Sequence, residues 1–336
     1  MTETVHRPPD APEPAPVSEH DVVPGLVSVV IPTRDRVELV RRAIASVFSQ
    51  DHPGDIEVVV VFDQSPPDVS LLRAAPGRSV RIVTNTRTPG LAGARNSGIV
   101  ASRGEWVAFC DDDDHWRASK LSSQFDAART EEARTGAFPP LVTTSMAVDF
   151  DGTVTDRTAG TDRVGVSHLT RSRMAMLHSS SLLFTRAALL GSEDCAAVVG
   201  LVNEEIPGSQ NEDWDILLRA AKARDIVHVD EPLVVVQWGA ASFFTRSWDT
   251  KISSLHWMLE AHPEIVADRK GVSRVYGQVA FGEASRPHRR AAVRWAFAAL
   301  ARNPLQWRAL VALAVAAGVV SPAFVLDTLH RFGRGV

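Results

Sequence analysis

Short apolar runs and segments with helical spacing alternate along the first part of the chain. The runs are rich in β-branched residues and end at turn-forming residues, which is typical of strands buried on both faces of a sheet. The four runs are Val27–Ile31, Ile56–Phe62, Val80–Thr84 and Trp106–Cys110. Apolar residues at helical spacing over Val37–Phe48 and small residues over Gly90–Ser102 predict two intervening helices. This order predicts an α/β fold with a mostly parallel sheet flanked by helices.

The second half of the chain continues the strands with longer polar intervals between them. Its predicted strands are Leu141–Phe150, Leu177–Thr185 and Val234–Trp238. Its predicted helices begin after Lys120 and at Asn211, the latter ending at Arg224. The stretch up to Gly165 is rich in glycine, threonine and aspartate and is predicted to be a loop.

A C-terminal helical extension is predicted from about Trp248, where alanine-rich segments are separated by prolines. The uncharged stretch Ala309–Leu326 approaches the length of a membrane span. Because Gly318 and Pro322 interrupt it, we predict two short helices that pack on the α/β domain or lie on a membrane face.

Three regions are expected from these patterns. The segment 1–24 contains six prolines, five of them between Pro8 and Pro16 among acidic residues, lacks a signal-peptide pattern and is predicted to be a disordered tail. The α/β domain is expected over 25–245, in two halves, 25–115 and 116–245. The helical extension is expected over 246–336.

Composition narrows the class of protein. With 45% hydrophobic and 23% charged residues the chain resembles an ordinary soluble enzyme, and a net charge of −4 disfavours nucleic acid as a partner. From Arg286 onward, however, eight arginines stand against one carboxylate. This basic segment predicts peripheral contact with anionic lipid on the inner face of the membrane, with packing on the α/β domain as the alternative.

The isolated Cys110 and Cys195 predict neither a disulfide nor a zinc site and favour the cytoplasm.

Polar residues follow three of the predicted strands at their carboxyl ends. They are Thr33, Asp63 and the four consecutive aspartates Asp111–Asp114. In parallel sheets ligands lie beyond this edge. Neighbouring carboxylates need a counter-charge, and their oxygens suit Mn²⁺ or Mg²⁺ with a diphosphate. The alternative is a solvated acidic turn that caps the next helix.

Two helix starts carry further candidate chemistry. Gly90–Asn96 places glycines and Arg95 where free N–H groups favour an anion, or else begins an ordinary surface helix. Asp213, in the segment Asn211–Asp215, could be a general base that takes a proton from an acceptor hydroxyl. The alternative for Asp213 is an ordinary acidic residue in a helical first turn.

Five segments in this order resemble the motif series of family 2 glycosyltransferases with the GT-A fold. They are Val29–Arg36, Val60–Ser65, Ala94–Gly98, Phe109–Asp114 and Asn211–Asp215. The resemblance covers about residues 26–238. It implies a Rossmann-like sheet with a nucleotide-binding half at 25–115 and an acceptor-binding half at 116–245. It also implies inverting, metal-dependent transfer from a nucleotide-sugar donor, which we take to be a UDP-sugar.

The resemblance implies a role for each matching residue. Residues expected to hold the nucleotide sugar are Pro32, Thr33, Arg34, Asp63, Arg95, Asp111 and Asp112. Asp111 and Asp113 would bind Mn²⁺ or Mg²⁺, and Asp213 would be the catalytic base. Candidate acceptor contacts in the second half are Glu212, Trp214, His178 and Trp238, with burial in the core as the alternative for the aromatic ones.

The chain also departs from the family pattern. Gln64 stands where the family usually has glycine, and Phe62 where it often has another aspartate, so the nucleotide is less well defined. The Gln-x-x-Arg-Trp sequence of polymerising members does not follow Gln237, which disfavours a processive synthase.

The predicted activity is that of a hexosyltransferase-type enzyme (EC 2.4) in polysaccharide biosynthesis. The acceptor would be a hydroxyl of a cell-envelope glycan, a glycolipid or a small molecule. One alternative is a sugar nucleotidyltransferase, which would be expected to carry a glycine-rich loop with a lysine after the first strand. The other is a catalytically silent glycan-binding protein on the same fold.

Overall fold

A computed structural model describes residues 22–150, 152–192, 195–238, 248–286 and 288–331. The chain forms two compact units. The first unit comprises Met1–Thr158, Leu177–Glu204 and Val227–Gln237, and the second comprises Ala159–Met176, Glu205–Ile226 and Trp238–Val336. The chain therefore crosses between the units several times, whereas the sequence analysis divided it at single points.

The first unit contains a mixed sheet with helices packed on it. Its strands are β1 (Val23–Thr33), β2 (Ile56–Phe62), β3 (Ala74–Ala75), β4 (Arg78–Thr84), β5 (Gly104–Phe109), β6 (His115–Trp116), β7 (Leu141–Phe150) and β8 (Thr153–Arg157). After β9 (Arg163–Val164) of the second unit, it continues with β10 (Leu183–Thr185) and β11 (Ile226–Trp238). Its helices are α1 (Val37–Phe48), α2 (Leu91–Ala101), α3 (Lys120–Thr135) and α5 (Arg186–Leu190).

The sheet is parallel in its centre and antiparallel towards its sides. Its strand order is β3-β4-β2-β1-β5-β10-β7-β11-β6, and β8 pairs with β7. Strands β4, β2, β1 and β5 run parallel, while β10 is antiparallel to both β5 and β7. The predicted α/β fold with parallel strands and flanking helices is therefore confirmed.

The central strands lie in the core, as their apolar runs predict. Every residue of β2 is buried, and in β1 the run from Leu26 to Thr33 is buried as well. Helix α2 packs very closely on these strands. A Cβ added at Gly98 would lie 2.3 Å from Cγ1 of Val30, so this helix position requires glycine.

The second unit is mainly helical. Its helices are α4 (Val166–Arg171), α6 (Glu212–Ala223), α7 (Trp248–Ala261), α8 (Pro263–Ala267), α9 (Arg269–Ser285), α10 (Arg289–Arg302), α11 (Trp307–Ala316) and α12 (Pro322–Arg331). Small residues of α9, α10 and α11 form a buried core cluster around Phe281. The predicted C-terminal helical extension is confirmed, and Ala309–Leu326 falls on two short helices as predicted. Among the residues described, none of the helices combines the length and the apolar character that crossing a bilayer requires.

Three local predictions need correction or stay open. Leu177–Thr185 is not one strand, because Ser179–Ser181 form a 3-10 turn before β10. The predicted loop before Gly165 contains β8, all of whose residues are exposed or half-buried. Strand β1 begins at Val23, inside the predicted tail; residues 1–21 lie outside the described residues, so their predicted disorder stays a prediction.

Candidate active site

The parallel strands bring the predicted polar positions to one edge of the sheet. Thr33 at the end of β1 is in register with Phe62 at the end of β2, and Val30 of β1 is in register with Phe109 at the end of β5. Asp63 and Asp111–Asp114 therefore follow these strands on the same side. Thr33 makes the contact directly, because its Oγ1 donates a hydrogen bond to Oδ2 of Asp112 at 2.8 Å.

Asp111 is held by one arginine and one serine. Nη2 of Arg95 lies 2.5 Å from Oδ1, and Oγ of Ser179 donates to Oδ2 at 2.9 Å. Burial would raise the pKa of Asp111, but the charges of Arg95 and His178 and these hydrogen bonds outweigh it and lower the pKa. Arg95 is only 1% exposed, and its guanidinium forms an ion pair with Asp111. Its predicted contact with the diphosphate stays a prediction.

Asp112 and Asp113 share a second arginine. Nη1 of Arg36 lies 3.3 Å from Oδ1 of Asp112 and 3.0 Å from Oδ2 of Asp113. Burial raises the pKa of Asp112, although Thr33 and Arg36 partly offset it. For Asp113, burial and the charges of the neighbouring aspartates raise the pKa to about 7. Negative charge on this loop is therefore incompletely balanced by the protein itself.

Asp114 joins the loop to a histidine that sequence analysis assigned to the acceptor. Its Oδ2 accepts a hydrogen bond from Oγ of Ser180 at 2.5 Å and lies 3.2 Å from Nδ1 of His178. Ser180 also accepts a hydrogen bond from the backbone N–H of Asp111 at 2.9 Å. The 3-10 turn thus fixes both ends of the aspartate loop.

This cluster offers a donor set for a divalent cation. One ligand atom each of Asp111, Asp114 and His178 lie within 4.8 Å of one another. Carboxylate oxygens suit Mg²⁺ and Mn²⁺, and the incompletely balanced charge beside Asp113 favours a cation. The residues present therefore fit a divalent metal ion. The sequence analysis did not predict Asp114 or His178 as metal ligands. The side chain of Asp113 is 38% exposed, and its role as a metal ligand stays a prediction.

Asp63 organises the loop that leads into α2. It accepts hydrogen bonds from the side chain of Asn85 at 2.8 Å, from the backbone N–H of Gly90 at 3.0 Å and from the side chain of Gln64 at 3.0 Å. Gln64 has a left-handed backbone with φ of 53°. This conformation explains physically why glycine suits the position. Arg34 is exposed and Pro32 is buried next to Thr33; nucleotide contacts of these residues and Asp63 stay predictions.

The sequence analysis did not identify Glu204, which contacts helix α2 at the same edge of the sheet. Its carboxylate accepts hydrogen bonds from Nε of Arg87 at 2.5 Å, the backbone N–H of Thr88 at 3.2 Å and the side chain of Asn96 at 2.7 Å. Burial would raise the pKa of Glu204, but these hydrogen bonds outweigh it and lower it to about 2. Asn96 lies in a recognised motif, yet the motif does not indicate which distant loop it binds.

A buried lysine was also missed. Lys120 is fully buried, with Nζ 3.8 Å from the centre of the Trp116 ring and 2.8 Å from Oε1 of Gln124. Burial lowers its pKa to about 7. Since Gln124 also donates to the carbonyls of Val142 and Ser181, this group ties α3 to the sheet rather than to a ligand.

In the second unit, α6 presents three carboxylates in its first turn, and two of them have distinct arginine partners. Nη2 of Arg173 lies 2.8 Å from Oδ1 and 2.7 Å from Oδ2 of Asp213. Asp215 is buried and bonds to Arg219 and His262. Burial would raise the pKa of Asp215, but His262 and Arg219 outweigh it and lower it. Asp215 is thus a structural anchor, while the side chain of Asp213 keeps 13% exposure beside one arginine.

Burial bears on the predicted acceptor residues. Trp214 is 1% exposed, and its Nε1 donates to the carbonyl of Leu169 at 2.9 Å. It therefore lies in the core of the second unit, which is the alternative that the sequence analysis gave for the aromatic candidates. Glu212 is also buried, at 5% exposure, whereas Trp238 is half-buried at the end of β11. Acceptor roles for Glu212 and Trp238 stay predictions.

A parallel-centred sheet with carboxylates at its carboxyl edge is the arrangement of a GT-A glycosyltransferase. Residues 28–156 match the family model described as Glycosyl transferase family 2. The resemblance to family 2 glycosyltransferases is therefore confirmed over residues 28–156.

Curated relatives match the same region. The succinoglycan biosynthesis protein ExoO of Rhizobium meliloti is 38% identical over 109 residues, which are 32% of this chain and 31% of the relative. The UDP-Glc:alpha-D-GlcNAc-diphosphoundecaprenol beta-1,3-glucosyltransferase WfaP of Escherichia coli is 29% identical over 108 residues, 32% of this chain and 43% of the relative. The matched segment thus spans less than half the length of each relative.

Solved structures extend the likeness of fold over most of the chain. TarS 1-349 of S. aureus in complex with UDP-GlcNAc has a TM-score of 0.56 at 16% identity and covers 92% of both chains. The same protein in complex with UDP has a TM-score of 0.54 at 16% identity, with 87% of this chain and 90% of that chain covered. At this identity the comparison confirms the GT-A type of fold.

Proposed function

We propose that the protein transfers a sugar, with inversion, from a nucleotide-diphosphate sugar to a hydroxyl acceptor. The observation that carries this proposal is the acidic edge of a family 2 glycosyltransferase domain, where Thr33, Arg36 and Arg95 hold three successive aspartates in different directions. A UDP-sugar is the proposed donor, because WfaP is named for UDP-Glc. A glycan or glycolipid acceptor follows from the names of WfaP and ExoO.

On the donor side, the chain's own residues would orient the nucleotide sugar. Asp63 and Thr33 would contact the base and ribose; that they follow or end neighbouring parallel strands supports this, because ligands of such sheets lie beyond the strand ends. Asp111 and Asp113, the ligands that the resemblance implies, would hold Mn²⁺ or Mg²⁺, joined by Asp114 and His178, whose ligand atoms cluster with that of Asp111. When bound, such an ion offsets the negative charge that gathers on a departing diphosphate.

On the acceptor side, Asp213 is the proposed general base. A hydroxyl is a weak nucleophile at neutral pH, and a carboxylate that accepts its proton during attack contributes about 10²–10⁴-fold. Arg173 contacts both carboxylate oxygens, and the backbone N–H of Trp214 donates to Oδ1 at 2.8 Å. These contacts would fix the direction of Asp213, so Arg173 is a positioning residue. One displacement without a covalent intermediate inverts the anomeric centre.

The experiment is a donor panel with the full chain. The protein is incubated with Mn²⁺ and UDP-, GDP- or TDP-sugars, and release of nucleoside diphosphate is followed with and without EDTA. We expect slow UDP release that EDTA stops and added Mn²⁺ restores. Release of pyrophosphate would indicate a nucleotidyltransferase, and no release from any donor would indicate a silent glycan-binding protein.

Paired substitutions test the roles of the two carboxylates. Asp213→Asn should lower transfer about 10²–10⁴-fold and retain binding of UDP with Mn²⁺. The matched control is Asp249→Asn, a 73% exposed position of the same unit. Asp113→Asn should weaken Mn²⁺ binding, with Asp126→Asn, 78% exposed on α3, as its control. Loss of UDP binding in Asp213→Asn would remove it from the base role.

We also propose that α10–α12 contact anionic lipid. Large apolar side chains are exposed on these helices and their connections, among them Phe297 at 60%, Leu310 at 53% and Phe324 at 65%. Arg290 and Arg294 are exposed on α10, so basic and apolar groups alternate there. Anionic headgroups would complement the arginines, and the apolar side chains would enter the interface.

Vesicle sedimentation tests this contact. The protein should bind vesicles containing phosphatidylglycerol more strongly than pure phosphatidylcholine, and added salt should weaken the binding. Phe297→Ser should reduce binding, whereas Val69→Ser, a 70% exposed apolar position of the first unit, should not. Equal binding to both vesicle types would refute the electrostatic part of the proposal.

A further inference from the structure

Four cationic side chains of the second unit influence one another through their charges. They are Arg173 after α4, Lys251 on α7, Arg274 on α9 and Arg308 on α11. Burial, followed by the charges of Arg308 and Arg173, lowers the pKa of Arg274 to about 9. Burial and the charge of Arg173 also lower the pKa of Lys251. The like charges are thus close enough to repel one another.

Arg274 has unused hydrogen-bonding capacity in a buried position. It is 9% exposed, and its Cζ lies 4.8 Å from the centre of the Trp214 ring. Its Nη1 donates to Oε1 of Gln278 at 3.2 Å, but Nε and Nη2 have no hydrogen-bond partner among the residues that the structure describes. A guanidinium buried in this way is unfavourable unless a ligand takes its donors.

Arg308 lies against the same face of α9. A Cβ added at Gly277, three residues after Arg274, would be 3.0 Å from Cβ of Arg308. The Cζ of Arg308 lies 4.5 Å from the centre of the Trp307 ring, and its Nε also has no hydrogen-bond partner in the described part of the chain. Two guanidinium groups, each with at least one N–H donor that lacks a hydrogen-bond partner in the described residues, therefore come from the packed helices α9 and α11.

The charges in this cluster do not balance. Asp213 pairs with Arg173, on which the charge of Glu212 also acts, but no carboxylate in the described segments forms an ion pair with Arg274 or Arg308. A single carboxylate ligand would leave one of these two positive charges uncompensated. A diphosphate diester carries two negative charges and several acceptor oxygens, which match two guanidinium groups.

We propose that Arg274 and Arg308 form a binding site for the phosphate or diphosphate group of the acceptor. The proposal rests on the proposed function, because Arg173 connects this cluster to Asp213, the residue assigned to the acceptor hydroxyl. It names the acceptor class: a sugar carried on a phosphate or diphosphate. A phosphate close to the base would position the sugar hydroxyl for proton transfer.

The test measures binding of three probes to the full chain in EDTA by calorimetry. The probes are inorganic pyrophosphate, farnesyl diphosphate and UDP. We expect pyrophosphate and farnesyl diphosphate to bind, and Arg274→Gln and Arg308→Gln each to weaken this binding about tenfold or more. Arg274→Lys should recover part of the affinity. Arg269→Gln removes an exposed arginine from the start of the same helix and should leave binding unchanged.

The outcomes separate the possible sources of the anion. Binding of farnesyl diphosphate at least as tight as pyrophosphate supports a lipid-linked acceptor, and tighter pyrophosphate binding supports a phosphate group without lipid. If only UDP binding depends on Arg274, the cluster serves the donor and the proposal is overturned. No arginine-dependent binding, together with a fall in the melting temperature of ligand-free Arg274→Gln, would make the cluster purely structural.

Failure of the proposed function would look different. The same preparation of unsubstituted protein is assayed for UDP release with Mn²⁺. Arginine-dependent pyrophosphate binding without any UDP release would refute sugar transfer but leave an anion site. UDP release without such binding would refute the anion site and leave sugar transfer.

Discussion

Two adjacent serines provide a stringent test of how the aspartate loop is held. Ser180 and Ser181 are both 0% exposed and lie in the same 3-10 turn. Oγ of Ser180 accepts a hydrogen bond from the backbone N–H of Asp111 and donates one to Asp114. Oγ of Ser181 has no hydrogen-bond partner in the described residues. Alanine at either position removes one buried oxygen of the same kind, so the two substitutions differ mainly in these hydrogen bonds.

The expected magnitudes follow from the bonds that are lost. Ser180→Ala leaves a buried N–H without its acceptor and removes a bond to a charged group, and together these changes should cost about 3 kcal/mol of the free energy of unfolding. Ser181→Ala removes a buried hydroxyl without a partner, so it should be neutral or should stabilise by up to about 1 kcal/mol.

Urea unfolding of both variants, followed by tryptophan fluorescence, measures the difference directly. The comparison is made at one pH and with unchanged slopes, so that a shift in midpoint reports stability. If the two variants are destabilised equally, the loss comes from packing volume and not from the hydrogen bonds. If Ser180→Ala remains within 0.5 kcal/mol of the unsubstituted protein, roughly the lower limit for one hydrogen bond, the proposed anchoring of the loop is wrong.

Further predictions concern the same edge of the sheet. Arg95→Met leaves the carboxylate of Asp111 without its arginine partner and should lower the free energy of unfolding, measured with urea, by about 3–5 kcal/mol. A decrease below 1 kcal/mol, which is about the value of a surface ion pair, would contradict the buried ion pair. The pKa of Glu204 is lowered from 4.5 to about 2, so its contribution is present above the unfolded value and lost as the pH falls towards 2. Glu204→Gln should therefore show a smaller fall in stability between pH 6 and pH 3.5, and an unchanged fall would refute the assignment. Gly98→Ala should cost about 1–3 kcal/mol through overpacking on Val30, measured as a lower melting temperature; unchanged melting would mean that α2 can shift freely.

The parts of the fold that could be predicted from sequence are those whose environment is uniform. Strand β2, Ile56–Phe62, has the predicted limits, because burial on both faces favours continuous apolar residues. Strand β7, Leu141–Phe150, also has the predicted limits, although it buries the polar residues Thr143, Thr144 and Ser145. The meeting of Thr33 with the aspartate loop was also predictable, since carboxyl ends of parallel strands share one edge. Strand β8 was missed because all its side chains are exposed or half-buried and pairing with β7 supplies its stability.

The remaining site residues depend on contacts that no local pattern carries. Ser179–Ser181 resemble part of a strand in sequence, but the hydroxyls of Ser179 and Ser180 bond to carboxylates almost seventy residues earlier, and this favours a tight turn. Glu204 lies in a loop and gains its role from Arg87 and Asn96 more than a hundred residues away. For Trp214 the sequence left both an acceptor contact and burial in the core open, because an aromatic side chain suits either; in the structure its indole is buried.

The four consecutive aspartates are stable together because each meets a different part of the first unit. Asp111 turns to Arg95 and Ser179, Asp112 to Thr33, and Asp114 to Ser180 and His178. The strand end and the following turn send successive side chains in different directions, which separates charges that adjacent positions would otherwise bring together. Burial and the charges of the neighbouring aspartates raise the pKa of Asp113 to about 7, because the single arginine that it shares with Asp112 only partly offsets them. A further positive charge is therefore favoured beside Asp113, at the edge where a parallel sheet binds its ligand. The need for a counter-ion at this loop thus follows from how its neighbours are distributed, and does not depend on the family match.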